Sequence, residues 1–214
     1  MVSFVIEMRD QAVDQAIETK VKNRIFGHGR GWVFTPKHFL DLGGPVSIRQ
    51  ALFQLEKKKV VRRIAQGLYD YPATHKVLGT IAPNIEAVAK AIAEKNGAKF
   101  LPSGAYAANM IGLSEQVPGR VIFLTDGPPK KFKIGNLEVI FKQTTVKNMS
   151  AAGSKEALVV QAFKFMQRKH IDDRMLQITK RYLKGANRSE FDKNLKFAPD
   201  WIRSILFKLM GSEL

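Results

Sequence analysis

Residues Pro45 to Pro72 read PVSIRQALFQLEKKKVVRRIAQGLYDYP, and the fold predicted for the first part of the chain depends on them. Ser47 and Gln50 have the spacing of a capping box, so a helix is predicted to begin at Ser47. The apolar residues that recur at helical spacing after it are Ile48, Ala51, Leu52 and Leu55. They form one stripe, which predicts that this side of the helix packs on a core.

The opposite face of this helix carries side chains that can read bases. Arginine can donate two hydrogen bonds to guanine, glutamine can pair with adenine, and the major groove admits a helix. The residues predicted on this face are Arg49, Gln50, Phe53, Gln54 and Lys57. The pattern indicates a DNA recognition helix; the alternative is an ordinary amphipathic helix whose charges are only solvated.

The residues after the helix change from helical spacing to alternation, which indicates strands. A β-prone run over residues 60–65 is followed by a turn at Gln66 and Gly67 and by a return strand over residues 68–71. Arg62 and Arg63 lie on the first arm, where a basic ribbon can clamp phosphates. The sequence therefore predicts a wing, residues 60–71, beside the recognition helix.

The segment before Pro45 is predicted to contain further helices and a strand, which precede the helix and the wing in the chain. Apolar residues at positions 13, 17, 21 and 25 predict a helix from Asp10 to Phe26, and residues 1–9 are assigned no role. The glycine-rich segment 27–31 is interpreted as a plain turn from which Arg30 can touch a phosphate. A short strand at 32–34 and a short helix at 37–42, opened by Thr35 and Pro36, follow. This order predicts a winged helix-turn-helix domain over residues 1–72.

The charge of the chain points to a polyanionic partner. It has 35 Lys and Arg against 19 Asp and Glu, a net charge of +16. Residues 1–72, 73–150 and 151–214 carry +5, +5 and +6, so no single basic tail accounts for the excess. The apolar runs are too short to span a bilayer, no signal peptide is recognised, and cysteine is absent. A cytoplasmic protein without membrane contact is expected.

The rest of the chain, residues 73–214, is predicted to be a second domain. Helical and hairpin patterns share residues 80–147, with a hairpin turn at Gly135 and Asn136, and helical spacing dominates a tail over 153–212. The expected fold class is α+β: an N-terminal winged helix-turn-helix, an α/β module and a helical C-terminal tail.

Catalytic, metal and cofactor motifs are not recognised in the sequence. The four histidines fall in different predicted elements, and none forms a helical metal-binding pair. Gly153-Ser154 followed by Asp172-Asp173 is similar to the phosphate- and Mg²⁺-binding elements of nucleotidyltransferases. Helix capping explains both pairs more simply, so no enzymatic activity, metal or cofactor is expected.

Several motifs resemble those of the AbiEi-type, or type IV, antitoxins of bacterial abortive-infection systems. They are RGWVFTPKHF (30–39), S-x-x-x-A-L-x-x-L from Ser47, GLY (67–69) and SGAYAANMIGLSEQVPGRVIFLTDGPPKKFKIG (103–135). The resemblance covers about residues 12–145.

This resemblance implies a regulator that binds inverted repeats in its own promoter, as a dimer or as two monomers, and counters a cognate nucleotidyltransferase-like toxin. By resemblance, Arg49, Gln50, Gln54 and Lys57 face the groove of double-stranded DNA, and Arg62, Arg63 and Gln66 contact it from the wing. The complete predicted DNA-binding set adds Ser47, Phe53, Lys58 and Arg30.

Two residues depart from this family's pattern. Lys59 stands where the recognition helix often ends in glycine, and a left-handed conformation there would cost about 1 kcal/mol unless another cap forms. Phe53 is apolar on a polar face, where it can contact a thymine methyl, pack on the wing or mark a dimer surface. The alternative function is a protein- or RNA-binding module in which the winged helix is only a scaffold.

Overall fold

The computed structural model describes residues 2–211, and the side chains of residues 14–187 and 189–211. It is a mixed α+β structure in which two compact units follow one another, Met1–Lys95 and Asn96–Leu214. The predicted division after residue 72 therefore lies inside the first unit. No helix in the described part of the chain has both the length and the apolar character needed to cross a membrane.

The first unit combines helices with a small sheet. Its elements are α1 (Val2–His28), β1 (Val33–Phe34), a 3-10 helix (Pro36–Phe39), α2 (Pro45–Lys57), β2 (Arg62–Ala65), β3 (Leu68–Asp70), β4 (Thr74–His75), β5 (Gly79–Thr80) and α3 (Ile85–Asn96). The three strands β1, β3 and β2 form one antiparallel sheet with β3 in the centre, and β4 pairs with β5. The predicted elements of this region are thus all present, in the predicted order.

Helix α1 is longer than predicted, because it already includes residues 2–9 and ends at His28. Ile17, Val21 and Ile25 are buried and pack with the apolar stripe of α2, as their spacing predicts. Val13, the fourth member of that pattern, lies outside the described side chains. The packed faces of α1 and α2 leave the opposite face of α2 toward solvent.

The start of α2 corrects the predicted capping box. The helix begins at Pro45 with Gly44 as its N-cap, so Ser47 lies inside the first turn and does not cap the helix. Proline at the first helical position explains this start, since its fixed φ suits a helix and its missing N–H would have no partner there anyway.

The end of α2 confirms one of the two conformations considered for Lys59. Its φ is 56°, in the left-handed region, and its N–H donates to the Glu56 carbonyl at 2.9 Å. The Val60 N–H donates to the Leu55 carbonyl, also at 2.9 Å, which completes a Schellman motif. Lysine therefore occupies a position that favours glycine, and the β2–β3 hairpin follows directly.

The second unit is built on a mixed four-stranded sheet in the order β6-β7-β9-β8. Its strands are β6 (Phe100–Ser103), β7 (Arg120–Thr125), β8 (Lys130–Ile134) and β9 (Leu137–Gln143), and β7 runs parallel to β9. The predicted hairpin at Gly135 and Asn136 is confirmed, with Ile134 opposite Leu137.

Helices make up the remainder of the second unit. They are α4 (Gly104–Met110), α5 (Lys155–Met166), a 3-10 helix (Arg168–His170), α6 (Asp173–Tyr182), α7 (Arg188–Leu195) and α8 (Asp200–Gly211). The Ser154 and Asp172 side chains accept hydrogen bonds from Ala157 N at 3.1 Å and Met175 N at 2.8 Å. Both residues are therefore helix caps, as the capping interpretation of these residues predicts. Helices α5 to α8 all lie within the tail, residues 153–212, that was predicted to be helical.

Candidate nucleic-acid interface

The solvent-facing side of α2 presents a mixture of basic, amide and apolar groups. Its exposed side chains are Val46, Arg49, Gln50, Phe53 and Lys57, while Gln54 and Ser47 are half-buried on one flank. The four residues of the apolar stripe are buried on the other side. The helical pattern therefore predicted correctly which face of α2 is open to solvent.

Two apolar side chains lie on this exposed face, one helical repeat of seven residues apart. Val46 is 71% exposed and Phe53 is 48% exposed. The Lys57 amine lies 5.4 Å from the centre of the Phe53 ring, a cation–π contact that keeps both groups at the surface. Val46 was missed because the predicted helix began one residue after it, so its place on the helical face was not considered.

The β2–β3 hairpin holds its two arginines in different ways. Arg62 lies opposite Asp70 in the strand register, and its guanidinium donates to both carboxylate oxygens, at 3.0 and 2.6 Å. A further Arg62 N–H donates to the Ile81 carbonyl at 3.0 Å. Arg63, the next residue, is exposed. Arg62 is therefore occupied inside the unit, whereas Arg63 faces solvent.

Two more residues of the predicted DNA-binding set are also engaged by neighbours. Arg30 donates to the Pro72 carbonyl at 2.9 Å and stacks over the Tyr71 ring at 4.8 Å. Lys58 forms an ion pair with Glu18 at 2.6 Å. These contacts give both cations a structural role, so they are less suited to reach a ligand than Arg49 or Arg63.

A groove lies between the N-terminal end of α2 and the turn of the β2–β3 hairpin, and we call it the basic groove. It has a volume of about 480 Å³. Its lining residues are Thr35, Pro36, Lys37, Leu40, Pro45, Arg49, Arg63, Gln66, Gly67, Tyr69 and Lys95. Three predicted residues, Arg49, Arg63 and Gln66, are thus brought together with two lysines that the sequence did not single out.

The electrostatics of the basic groove favour anions. Its lining contains four cationic side chains and no carboxylate. Burial raises the pKa of the Tyr69 phenol; the positive charge of Arg63 lowers it in part, and the negative charge of Glu56, which does not line the groove, raises it further. Tyr69 therefore stays a neutral hydroxyl at physiological pH, and the groove keeps its positive character.

Metal coordination has no comparable site in the described part of the chain, where no group of three or more His, Cys, Asp or Glu side chains is placed to hold an ion.

Lys37 and Lys95, the two lysines of the basic groove, were missed for a simple reason. They lie far from Arg49 and Arg63 in sequence, on elements that only the fold brings to the same groove.

Comparisons with known proteins identify a family but not an activity. Among solved structures, the chain is similar to the RV2827C protein from Mycobacterium tuberculosis, with 15% identity and a TM-score of 0.45, over 92% of this chain and 77% of that chain. No curated protein matches the chain. A family model described as a family of unknown function, DUF6088, matches residues 18–191. The chain therefore belongs to the DUF6088 family.

Proposed function

We propose that this protein is a sequence-specific DNA-binding regulator whose first unit is a winged helix-turn-helix. The observation that carries the proposal is the solvent-facing side of α2, with Arg49, Gln50 and Lys57 next to the basic hairpin. In this reading α1 supports α2, α2 enters the major groove, and the β2–β3 hairpin is the wing. The three-stranded sheet β1-β3-β2 agrees with that arrangement.

Base recognition would come from the amide and apolar groups of α2, and affinity from the cations around it. Gln50 is exposed near the middle of α2, and Gln can form two hydrogen bonds to adenine in the major groove. Arg63 and Gln66 are exposed on the hairpin and suit contacts to the backbone. Arg62, Arg30 and Lys58 are left out of the proposed contact set. Arg62 and Lys58 are paired with carboxylates, and Arg30 is stacked on the Tyr71 ring as well as hydrogen-bonded to the Pro72 carbonyl.

The proposed biological role is that of an autoregulating antitoxin. Its support is the resemblance of residues 103–135 to AbiEi-type antitoxins, a segment that in the structure runs from the end of β6 through α4 and β7 to β8. The proposed partners are an inverted-repeat operator and a nucleotidyltransferase-like toxin encoded nearby. Rescue of cell growth by co-expression with the product of an adjacent reading frame tests this role, and growth inhibition that the chain does not relieve would contradict it.

DNA binding is tested separately by a mobility shift with the duplex immediately upstream of the protein's own gene. A scrambled duplex of the same composition is the control. A shift of the upstream duplex at lower protein concentration supports the regulator. No shift at moderate salt contradicts it and favours the alternative, a protein- or RNA-binding module, which a parallel shift with single-stranded and hairpin RNA examines.

A further inference from the structure

Four cations from four different elements converge on the basic groove. Lys37 comes from the first 3-10 helix, Arg49 from α2, Arg63 from β2 and Lys95 from α3. Like charges held close together repel one another, and no carboxylate in the groove offsets that repulsion. An anion bound between them would do so.

The cations are held at the groove by the fold itself. The Lys37 amine donates to the Lys95 carbonyl at 2.9 Å, which ties the first 3-10 helix to the C-terminal end of α3. The Lys95 amine reaches the turn of the hairpin, where a Cβ added to Gly67 would lie 3.0 Å from it. The Lys95 amine is therefore beside the hairpin turn before any ligand arrives, which lowers the entropy lost on binding.

The guanidinium N–H donors of the two arginines in the groove are available to a ligand. Within the described part of the chain, Arg49 and Arg63 form neither a hydrogen bond nor an ion pair with a protein group. Arg62 differs in this respect, since two of its nitrogens bind Asp70. Guanidinium groups present paired N–H donors that match the oxygens of a phosphate. The groove thus offers phosphate-matched donors that no described side chain of the unit uses.

The shape of the groove suits a phosphate in a nucleic-acid backbone better than a free phosphate ion. At about 480 Å³ it is much larger than a single phosphate requires, and it is open to solvent. Pro36, Leu40 and Pro45 give it an apolar wall next to the cations. A deoxyribose ring beside a bound phosphate would cover such a wall, whereas a free inorganic anion would leave it exposed.

We propose that the basic groove binds a backbone phosphate of duplex DNA, with Lys37 and Lys95 as contacts outside the predicted set. The inference rests on the proposed function and deepens it. It extends the DNA-binding surface beyond residues 1–72 to the end of α3. It also predicts that Arg49 contacts a phosphate rather than a guanine, because the Arg49 side chain lines the same groove as Arg63.

The test compares Lys95→Ala with Lys90→Ala, since both remove one lysine from the same helix but only Lys95 lines the groove. Binding of the full chain to the upstream and scrambled duplexes is measured by fluorescence anisotropy over a range of salt concentrations. Lys95→Ala should weaken both duplexes by the same factor and reduce the slope of log Kobs against log salt by about 1. Lys95→Arg should restore the slope, and Lys90→Ala should keep it.

The possible failures are distinguishable. If the wild-type chain binds no duplex, the proposed function is wrong. If it binds and Lys95→Ala behaves like Lys90→Ala, the groove assignment is overturned while the proposed function stands. Thermal unfolding in inorganic phosphate and in chloride at equal ionic strength tests whether the groove binds a free phosphate ion instead. Stabilisation by phosphate that Lys95→Ala abolishes, with unchanged duplex binding, would also overturn the assignment to a DNA backbone. Circular dichroism checks that each variant is folded.

Discussion

Arg62 and Asp70 lie directly opposite each other in neighbouring strands, and the arginine donates to both oxygens of a carboxylate that is only 1% exposed. This pair joins β2 to the central strand β3, and the additional bond to the Ile81 carbonyl connects the hairpin to the segment after β5. Its place in the register indicates that Arg62 maintains the hairpin rather than contacting a ligand.

Replacing Arg62 by alanine should therefore lower stability. The variant leaves the buried Asp70 carboxylate without its partner, which should cost about 3 kcal/mol, at the low end for a buried pair because Arg62 is itself 34% exposed. Denaturant unfolding measures this loss. Arg63→Ala is the matched control and should leave stability within ~0.5 kcal/mol of wild type. Equal stability of both variants would show that the pair does not support the hairpin.

Val46 and Phe53 should contribute contacts to thymine methyl groups. Apolar side chains in the major groove recognise the C5-methyl of thymine, which uracil lacks. Replacing one contacted thymine by uracil should weaken wild-type binding by about 0.8 kcal/mol, the value of one buried methylene or methyl group. The same replacement should have no effect on the Phe53→Ala or Val46→Ala variant that has lost the contact. Competition binding with a series of single uracil duplexes measures this, and a uniform response of all variants would contradict it.

Lys59→Gly should stabilise the protein. Lys59 has a φ of 56° at the C′ position of a Schellman motif, where glycine has no steric penalty. The expected gain is up to about 1 kcal/mol, reduced by the larger entropy of glycine in the unfolded chain. Lys58→Gly is the control, since Lys58 has a φ of −75° and pairs with Glu18, and it should not stabilise. A stability no higher than wild type in Lys59→Gly would show that the conformation carries no strain.

Glu138 should make the second unit sensitive to acid. It forms ion pairs with Lys131 on β8, at 2.6 Å, and with Arg120 on β7, and the hydrogen bond from Lys131, followed by that from Arg120, lowers its pKa. Because the folded pKa is lowered, the stabilisation is complete above the usual pKa of an unfolded glutamate and is lost as pH falls through the folded value.

The variant Glu138→Gln should be less stable than wild type near neutral pH, and the difference should shrink below the usual glutamate range. Thermal unfolding as a function of pH measures both effects. Glu115→Gln, in the same unit, should follow the wild-type curve, because Glu115 is 87% exposed and its ion pair with Arg174 contributes little. A difference between Glu138→Gln and wild type that persists unchanged into acid would contradict the assigned role of the carboxylate.

Local patterns in the sequence predicted most of the elements of the first unit, because they depend on neighbours along the chain. The stripe of α2 and the turn at Gly67 follow from spacing and from backbone preferences, and the left-handed conformation of Lys59 is one of the two that the sequence allowed. The start of α2 was predicted wrongly because Ser47 and Gln50 fit a capping box, while Gly44 as N-cap followed by Pro45 provides a better start three residues before Ser47. The helix starts that these two local signals predict lie less than one helical turn apart.

The partners of individual side chains could not be predicted from the sequence, for a different reason. Arg62 and Arg63 are adjacent and chemically identical, yet only the strand register places Arg62 opposite Asp70. Lys95 is likewise an unremarkable helix residue until the fold brings it beside Gly67. Which cations are free to bind a ligand depends on tertiary contacts, and these are not encoded in local spacing.

We propose that α2 reads sequence while the hairpin beside it binds the backbone. The ratio of affinities for the upstream and scrambled duplexes, measured in Gln50→Ala and in Arg63→Ala, distinguishes these two roles. Gln50→Ala should lower that ratio by about 1–3 kcal/mol, whereas Arg63→Ala should weaken both duplexes alike, preserve the ratio and reduce the salt slope by about 1. If the two variants weaken both duplexes equally and leave the ratio unchanged, α2 does not read sequence.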